Sequence, residues 1–159
     1  MHRVVGALLV LAVALPASAQ AETWKTFEDS DGKFWDTDAR LEVDLDSVRK
    51  ADVAKATDVE GHALSGPFFL ATRRAVLSDH GREALGYDSE LASEYYHCAG
   101  ETPLRTANGS VLSADITDGK QKIKYQGRAD EAYAFAPATT GWQKNLQSLV
   151  CARARAIGS

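Results

Sequence analysis

Cysteine is scarce in this chain, since Cys98 and Cys151 are the only two among 159 residues. Two thiols cannot build a four-cysteine zinc site, and no two histidines stand at the H-x-H or H-E-x-x-H spacing of zinc ligands. We therefore expect no metal site and no cofactor. In an exported chain an even cysteine count leaves no thiol over, so the pair predicts one structural disulfide.

Long apolar runs are missing after the amino terminus. The one run, from Val4 to Leu15, follows Arg3 and precedes Pro16 and a set of small residues. It is shorter than the roughly 20 residues that span a bilayer. The pattern is typical of a secretory signal peptide over residues 1–21, cut after Ala19 or Ala21. We expect a single domain over residues 22–159, periplasmic or secreted, with no lipid-anchor cysteine and no transmembrane segment.

Catalytic motifs and excess positive charge are also missing. The chain contains no G-x-S-x-G, S-x-x-K, P-loop or dinucleotide-binding pattern, so we expect no enzyme. Removing Arg3 with the signal peptide leaves 17 basic against 22 acidic residues, a net charge of −5. Nucleic acid is not expected as a partner, because binding phosphates needs a basic surface.

Strand patterns occupy the first part of the mature chain. Trp24 to Phe27 precedes a predicted tight turn at Asp31-Gly32, and Leu41, Val43 and Leu45 alternate with acidic residues as in a half-buried strand. A weaker strand is predicted over 53–59. The segment 68–77 fits neither the strand nor the helix period cleanly, and we favour a strand there with a helix as the alternative. Residues 78–89 are predicted to be a loop because they are polar and include two glycines. A strand over 91–99 places Tyr96 and Cys98 on one face and Tyr95 and His97 on the other.

A β-meander is predicted next, over 103–107, 110–117 and 120–125. Asn108-Gly109 and Asp118-Gly119 are the dipeptides that two-residue hairpin turns prefer. Lys120, Lys122 and Lys124 share one face of the third strand. They form a candidate patch for an anionic partner, although lysines on an exposed strand also prevent edge-to-edge aggregation, and we favour that explanation.

The C-terminal segment predicts a helix. Thr140-Gly-Trp-Gln143 fits a capping box at its start, and Trp142, Leu146, Leu149 and Val150 form one apolar stripe with Cys151 on its flank. A reactive Cys98 activated by His97 is disfavoured, because neighbours in a strand point to opposite faces. The sequence therefore predicts a helix that packs on the sheet and is joined to it by Cys98–Cys151.

The order of these features resembles the surface-adhesin protein E family of bacterial envelope proteins. The resemblance rests on Trp24, the segment 43–48 (VDLDSV), the strand ending in Cys98, the segment 135–141 (FAPATTG) and the helix that contains Cys151. It implies one antiparallel sheet with a disulfide-linked C-terminal helix, a tendency to dimerise, and adhesion rather than catalysis.

The sequence thus predicts an α+β fold, with one antiparallel sheet of about five to seven strands ending in a meander and a C-terminal helix packed on it. The first functional hypothesis is an exported, non-catalytic binding protein whose partner is an envelope or extracellular protein. The alternatives are a small periplasmic enzyme or metal-binding protein using His97 with carboxylates of the stretch 28–46, and a structural homodimeric envelope subunit.

Overall fold

Nine strands of one sheet and two helices form the part of the chain that the computed structural model describes. Those residues are 23–27, 38–100, 102–107, 113–117, 122–126 and 133–158. The first strands are β1 (Trp24–Phe27), β2 (Ala39–Ala51), β3 (Ala56–Asp58) and β4 (Phe68–Leu77), followed by helix α1 (Asp79–Leu85). The remainder are β5 (Ser89–His97), β6 (Leu104–Thr106), β7 (Ser113–Thr117), β8 (Lys122–Gln126), β9 (Tyr133–Ala136) and helix α2 (Gly141–Gly158). The predicted signal peptide and the Asp31-Gly32 turn lie outside these ranges.

The sheet is mixed, so the predicted purely antiparallel sheet is wrong. Seven strands follow the order β1-β2-β4-β5-β6-β9-β3, and β7 and β8 extend the sheet from β5. All neighbouring strands are antiparallel except β3 and β9, which run parallel with Ala56 beside Tyr133. Alternating hydrophobicity identifies a strand but not the distant strand that lies beside it, which is why the sequence pattern missed this pairing.

The predicted three-stranded meander is only half present. β7 and β8 pair as a hairpin, with Ile116 beside Ile123. β6 does not pair with β7, because both strands pair with β5: Arg105 lies beside Tyr96, and Ser113 lies beside Ser93. β6 and β7 thus lie end to end along one edge of β5. The Asn108-Gly109 and Asp118-Gly119 turns lie outside the described residues.

The segment predicted to be a loop over 78–89 contains α1. The hydroxyl of Ser78 caps the helix by accepting a hydrogen bond from the amide of Gly81 (3.1 Å), and Gly86 ends it in the left-handed conformation at φ 77°. Serine before a helix and glycine after it are typical boundary signals. The prediction failed because both glycines were taken as helix breakers, whereas Gly86 marks the helix end.

The strand prediction for 68–77 is confirmed by β4, which lies in the middle of the sheet between β2 and β5. Its two faces meet different partners. Phe69, Ala71, Arg73, Ala75 and Leu77 face the α2 side and are all buried. Phe68 faces the other side, where it packs in a smaller cluster with Ala56, Tyr133 and Phe135.

Helix α2 covers one face of the sheet, as predicted. Trp142, Leu146 and Val150 are 5, 0 and 0 % exposed and pack on apolar residues of β1, β2 and β4. The capping box is confirmed, since the amide of Gln143 donates to Thr140 Oγ1 and the amide of Thr140 donates to Gln143 Oε1, both at 3.4 Å. Within the described ranges, neither helix is long and apolar enough to cross a membrane.

Candidate functional site

The predicted disulfide is present between Cys98, just after β5, and Cys151, in the middle of α2. Their Cα atoms lie 5.4 Å apart, and the bond closes a sequence separation of 53 residues. Cys98 follows Tyr96 on the face of β5 that α2 covers, as the alternation of strand side chains requires. Neither cysteine is therefore a free thiol that could act as a nucleophile, and the bond fixes the helix to the end of the central sheet.

Beneath the start of α2 lies a cluster of charges that the sequence patterns did not reveal. We call it the buried charge cluster, and it consists of Arg73 on β4, Glu90 and Glu94 on β5, and Arg105 on β6. Glu94 is 1 % exposed and accepts hydrogen bonds from Arg73 Nε (3.0 Å) and Arg105 Nη2 (2.5 Å). Arg73 Nη2 also lies 2.6 Å from Glu90 Oε1. Two arginines and two glutamates thus compensate one another.

Two aromatic side chains complete the buried charge cluster. Tyr96 Oη donates a hydrogen bond to Glu94 Oε2 at 3.2 Å. The ring centroid of Trp142, at the start of α2, lies 5.4 Å from the guanidinium carbon of Arg73 and 5.6 Å from that of Arg105. These distances fall within the range of attraction between a cation and an aromatic face. The first turn of α2 is therefore in direct contact with the charges that it covers.

The electrostatics of the buried charge cluster keep Glu94 and Tyr96 in fixed protonation states. Burial raises the pKa of Glu94, but the positive charges of Arg73 and Arg105 outweigh burial and hold that pKa below its usual value. Burial and the negative charge of Glu94 raise the pKa of Tyr96. Glu94 therefore stays a carboxylate and Tyr96 a neutral phenol at physiological pH. Neither group is poised near neutrality, as a general acid or base would be.

The outer face of the sheet carries a second, more exposed charge group. Glu42 lies between Arg40 Nε (3.1 Å) and Arg74 Nη2 (2.6 Å), and the Arg74 guanidinium carbon lies 4.2 Å from the ring centroid of Trp24. The alternation in β2 placed Glu42 in water, but these partners leave it 7 % exposed. The other side of β2 is as predicted, since Leu41 and Val43 are buried and Leu45 packs against the same core.

The alternative hypothesis of a metal site at His97 with carboxylates of the stretch 28–46 stays a prediction, because residues 28–37 lie outside the described residues. His97 Nε2 lies 2.9 Å from the carbonyl oxygen of Ser65, and its ring packs against Phe68 at 5.1 Å. Another group does come together: one donor atom each of Asp58, Glu60 and His62 lies within 4.8 Å of the others. The amide and the ring of His62 hydrogen-bond to the Asp58 carboxylate and lower its pKa.

The lysine patch lies partly beyond the described structure. Lys122 and Lys124 belong to β8, whose backbone pairs with β7, and Lys120 lies outside the described residues. The suggested anionic-partner role of Lys120, Lys122 and Lys124 stays a prediction.

A concave surface runs along one flank of α2, and we call it the α2 groove. Its helical wall contains Lys144, Gln147, Ser148, Cys151 and Arg155, which recur at the spacing of one helix flank. Its other wall comes from two short segments, Thr102-Pro103 and Pro137-Ala138, and its volume is about 360 Å³. Sequence reasoning used the apolar stripe of α2 and overlooked this flank. The recurrence of Lys144, Gln147, Ser148 and Arg155 was the signal that could have revealed it.

The charges of the α2 groove differ from those of the buried charge cluster. Lys144 and Arg155 are exposed, and within the described ranges neither side chain has an ion-pair partner. Gln147 is 6 % exposed, and its Nε2 atom has no hydrogen-bond partner among the described residues. Among the described residues, the lining of the α2 groove includes no aspartate or glutamate. The groove therefore offers hydrogen-bond donors and two positive charges to a ligand.

A second depression of about 350 Å³ lies beside the α2 groove, and Arg155 lines both. We call it the terminal depression; its lining also includes Pro67, Phe69, Cys98 and Ala154. The two halves of the disulfide border different cavities, since Cys151 lines the α2 groove and Cys98 lines the terminal depression. Arg155 therefore lines both the α2 groove and a more apolar hollow.

Comparisons of the chain with protein-family models, with curated proteins and with solved structures gave no match.

Proposed function

We propose that the protein is an exported, non-catalytic binding protein of the bacterial envelope whose partner is an envelope or extracellular protein. One contrast carries this proposal: the buried charges compensate one another, whereas Lys144 and Arg155 of the α2 groove have no ion-pair partner in the described residues. Charges that stabilise a fold are paired, and exposed unpaired ones on a concave surface are available to a partner. The resemblance to the surface-adhesin protein E family agrees with this role and stays a prediction.

Export is part of the same proposal. A disulfide bond persists in oxidising compartments, and the amino-terminal sequence predicts a signal peptide. The periplasm or the extracellular medium supplies both the compartment and the partners. A non-catalytic role agrees with the electrostatics of Glu94 and Tyr96, which keep the two most buried ionisable groups of β5 from exchanging protons near neutral pH.

The proposal is tested with the mature, oxidised protein immobilised on beads and incubated with an envelope extract and with culture medium. We expect retention of a specific protein that free mature protein displaces, with an affinity in the micromolar range or tighter. In parallel, the purified protein should be assayed for hydrolysis of ester, peptide and glycoside substrates. The binding proposal would be overturned if no protein were specifically retained from the envelope extract or the medium, or if the purified protein turned over a substrate.

Metal binding is the second candidate function, favoured by the proximity of Asp58, Glu60 and His62. Imidazole and carboxylate donors suit Zn²⁺, and calcium would use the carboxylates alone. Calorimetric titration with Zn²⁺ should show one equivalent bound to the wild type and none to a His62→Ala variant. His80→Ala, which alters an exposed histidine of α1 outside this group, is the matched control. Equal heats for all three proteins would exclude this candidate.

A further inference from the structure

We infer that the α2 groove binds an extended acidic peptide segment of the partner protein, with two carboxylates four residues apart. The inference rests on the proposed function and names the chemistry that this surface would recognise. It begins from the placement of charge: the protein is acidic overall, with a net charge of −4, yet Lys144 and Arg155 make this groove locally positive. An anionic segment is therefore repelled by the protein as a whole and attracted at this surface.

The spacing of the two cations decides between a small anion and a longer one. Lys144 and Arg155 are eleven residues apart on one helix, so their Cα atoms are separated by about 16 Å along its axis. A single phosphate or carboxylate contacts one of them at a time. In an extended segment, residues i and i+4 lie about 13 Å apart and point to the same side. Two carboxylates at that spacing reach both cations once the flexible side chains bend inward.

The groove lining between Lys144 and Arg155 indicates which side chain of the bound segment lies between its two carboxylates. Residue i+2 of an extended segment points the same way as i and i+4, into the groove, whose two walls include the small residues Cys151 and Ala138. A volume of about 360 Å³ admits a small apolar side chain at that place. Pro103 and Pro137 make the opposite wall stiff, because their φ angles are fixed. The groove is thus shaped for a short, narrow segment.

Gln147 supplies a third feature that points to a ligand. Its side chain lies in the groove wall between Lys144 and Arg155, one helical turn from Lys144, and its Nε2 atom lacks a hydrogen-bond partner among the described residues. Buried amide groups ordinarily have partners, because an unpaired one loses its bonds to water without replacement. Rotation of this side chain toward a bound segment would let Nε2 donate to a peptide carbonyl.

The probe for the test is a fluorescein-labelled, capped peptide with the core sequence ESVSE. Its binding is measured by fluorescence anisotropy at low salt. Its controls are QSVSQ, which lacks the charges, and EESVS, which keeps the charges but not their spacing. We expect ESVSE to bind at least tenfold more tightly than either control. Lys144→Gln and Arg155→Gln should each weaken binding about fivefold, and the double variant should weaken it by more than tenfold.

Lys25→Gln is the matched control variant, because Lys25 is an exposed lysine of β1 that does not line the groove. It should bind ESVSE within twofold of the wild type, and all variants should retain the wild-type melting temperature. The inference would be overturned if ESVSE and EESVS bound equally, or if Lys25→Gln lost as much affinity for ESVSE as the groove variants. Displacement of the probe by millimolar phosphate or acetate would also overturn it. These results would indicate non-specific or small-anion binding.

The outcome is separable from that of the proposed function. If the wild type retains a partner from the extract and the double variant retains it equally, binding occurs at another surface: the groove inference fails and the proposed function stands. If the wild type retains no partner and does not bind ESVSE, both fail. If ESVSE displaces the partner that the wild type retains and QSVSQ does not, the result supports both the groove inference and the proposed function.

Discussion

Glu94 illustrates how a charged side chain can lie inside this fold. It is 1 % exposed, and an isolated carboxylate at that depth would lose its hydration at a cost of several kcal/mol. Arg73, Arg105 and Tyr96 all donate hydrogen bonds to it, and the two arginines supply opposite charge. The stability of this part of the sheet therefore depends on the cluster being complete.

Replacement of Glu94 by glutamine should be strongly destabilising. Glu94→Gln removes the negative charge to which Arg73 and Arg105 both donate hydrogen bonds and leaves these arginines buried, so we expect a loss of about 3 to 5 kcal/mol in the free energy of unfolding. Urea unfolding followed by tryptophan fluorescence measures the loss. Glu60→Gln, at an exposed turn, should stay within about 0.5 kcal/mol of the wild type. Similar losses in both variants would contradict the role assigned to Glu94.

The same residue predicts an acid-dependent loss of stability. The pKa of Glu94 is lower in the folded protein than in the unfolded chain, so its contribution is complete above the unfolded value of about 4.3. It is lost as the pH falls through the folded pKa, because the unfolded chain then binds the proton more readily. The difference in unfolding free energy between the wild type and Glu94→Gln should therefore shrink below about pH 4. A difference that stays constant from pH 7 to pH 3 would refute this account.

At the scale of elements, α2 was predictable because its signals are local. The cap at Thr140 and Gln143, the apolar stripe and the flanking cysteine all lie within a dozen residues. Helix α1 also carries local signals, Ser78 and Gly86, but its seven residues are too few for an apolar period to emerge. Strand pairing is different: Glu94 meets Arg73 and Arg105 across separations of 21 and 11 residues, and no short pattern relates them.

The disulfide should contribute a large share of the stability of the α2 attachment. The bond closes a loop of 53 residues, for which the chain-entropy estimate is about 4 kcal/mol. A Cys98→Ala, Cys151→Ala variant should lose about that amount in urea unfolding. Adding reductant should bring the wild type close to the double variant while leaving the variant itself unchanged. If reductant shifted both proteins equally, the effect would not come from this bond.

For the whole molecule, the general architecture was predictable and the connectivity was not. A sheet with one C-terminal helix and one disulfide followed from strand alternation, the helix cap and the cysteine count. The parallel pair β3–β9 and the end-to-end placement of β6 and β7 did not, because both depend on which distant strands meet. The α2 groove combines three separate segments, 102–103, 137–138 and the flank of α2, so its existence also depends on the tertiary fold.

Export predicts a defined mature amino terminus. Intact-mass measurement of protein recovered from the periplasm or the medium should match a chain beginning at Gln20 or Glu22, lighter by two hydrogens for the disulfide. Leu9→Asp, which places a charge within the apolar run, should leave the full-length precursor in the cytoplasm. Recovery of unprocessed wild-type chain outside the cytoplasm would be inconsistent with a cleaved signal peptide.

The late position of α2 in the chain has a consequence for the order of assembly. β9 and α2 come last in the sequence, and they cover residues that β2, β4 and β5 expose until then. A chain that crosses a membrane amino end first cannot bury those residues until its final segment has emerged. During that interval its apolar strands are vulnerable to aggregation, and Cys98 can form a disulfide with a thiol of another molecule. If the protein is exported as proposed, the fold therefore creates a demand for folding helpers outside the cytoplasm, greatest just before Cys151 arrives.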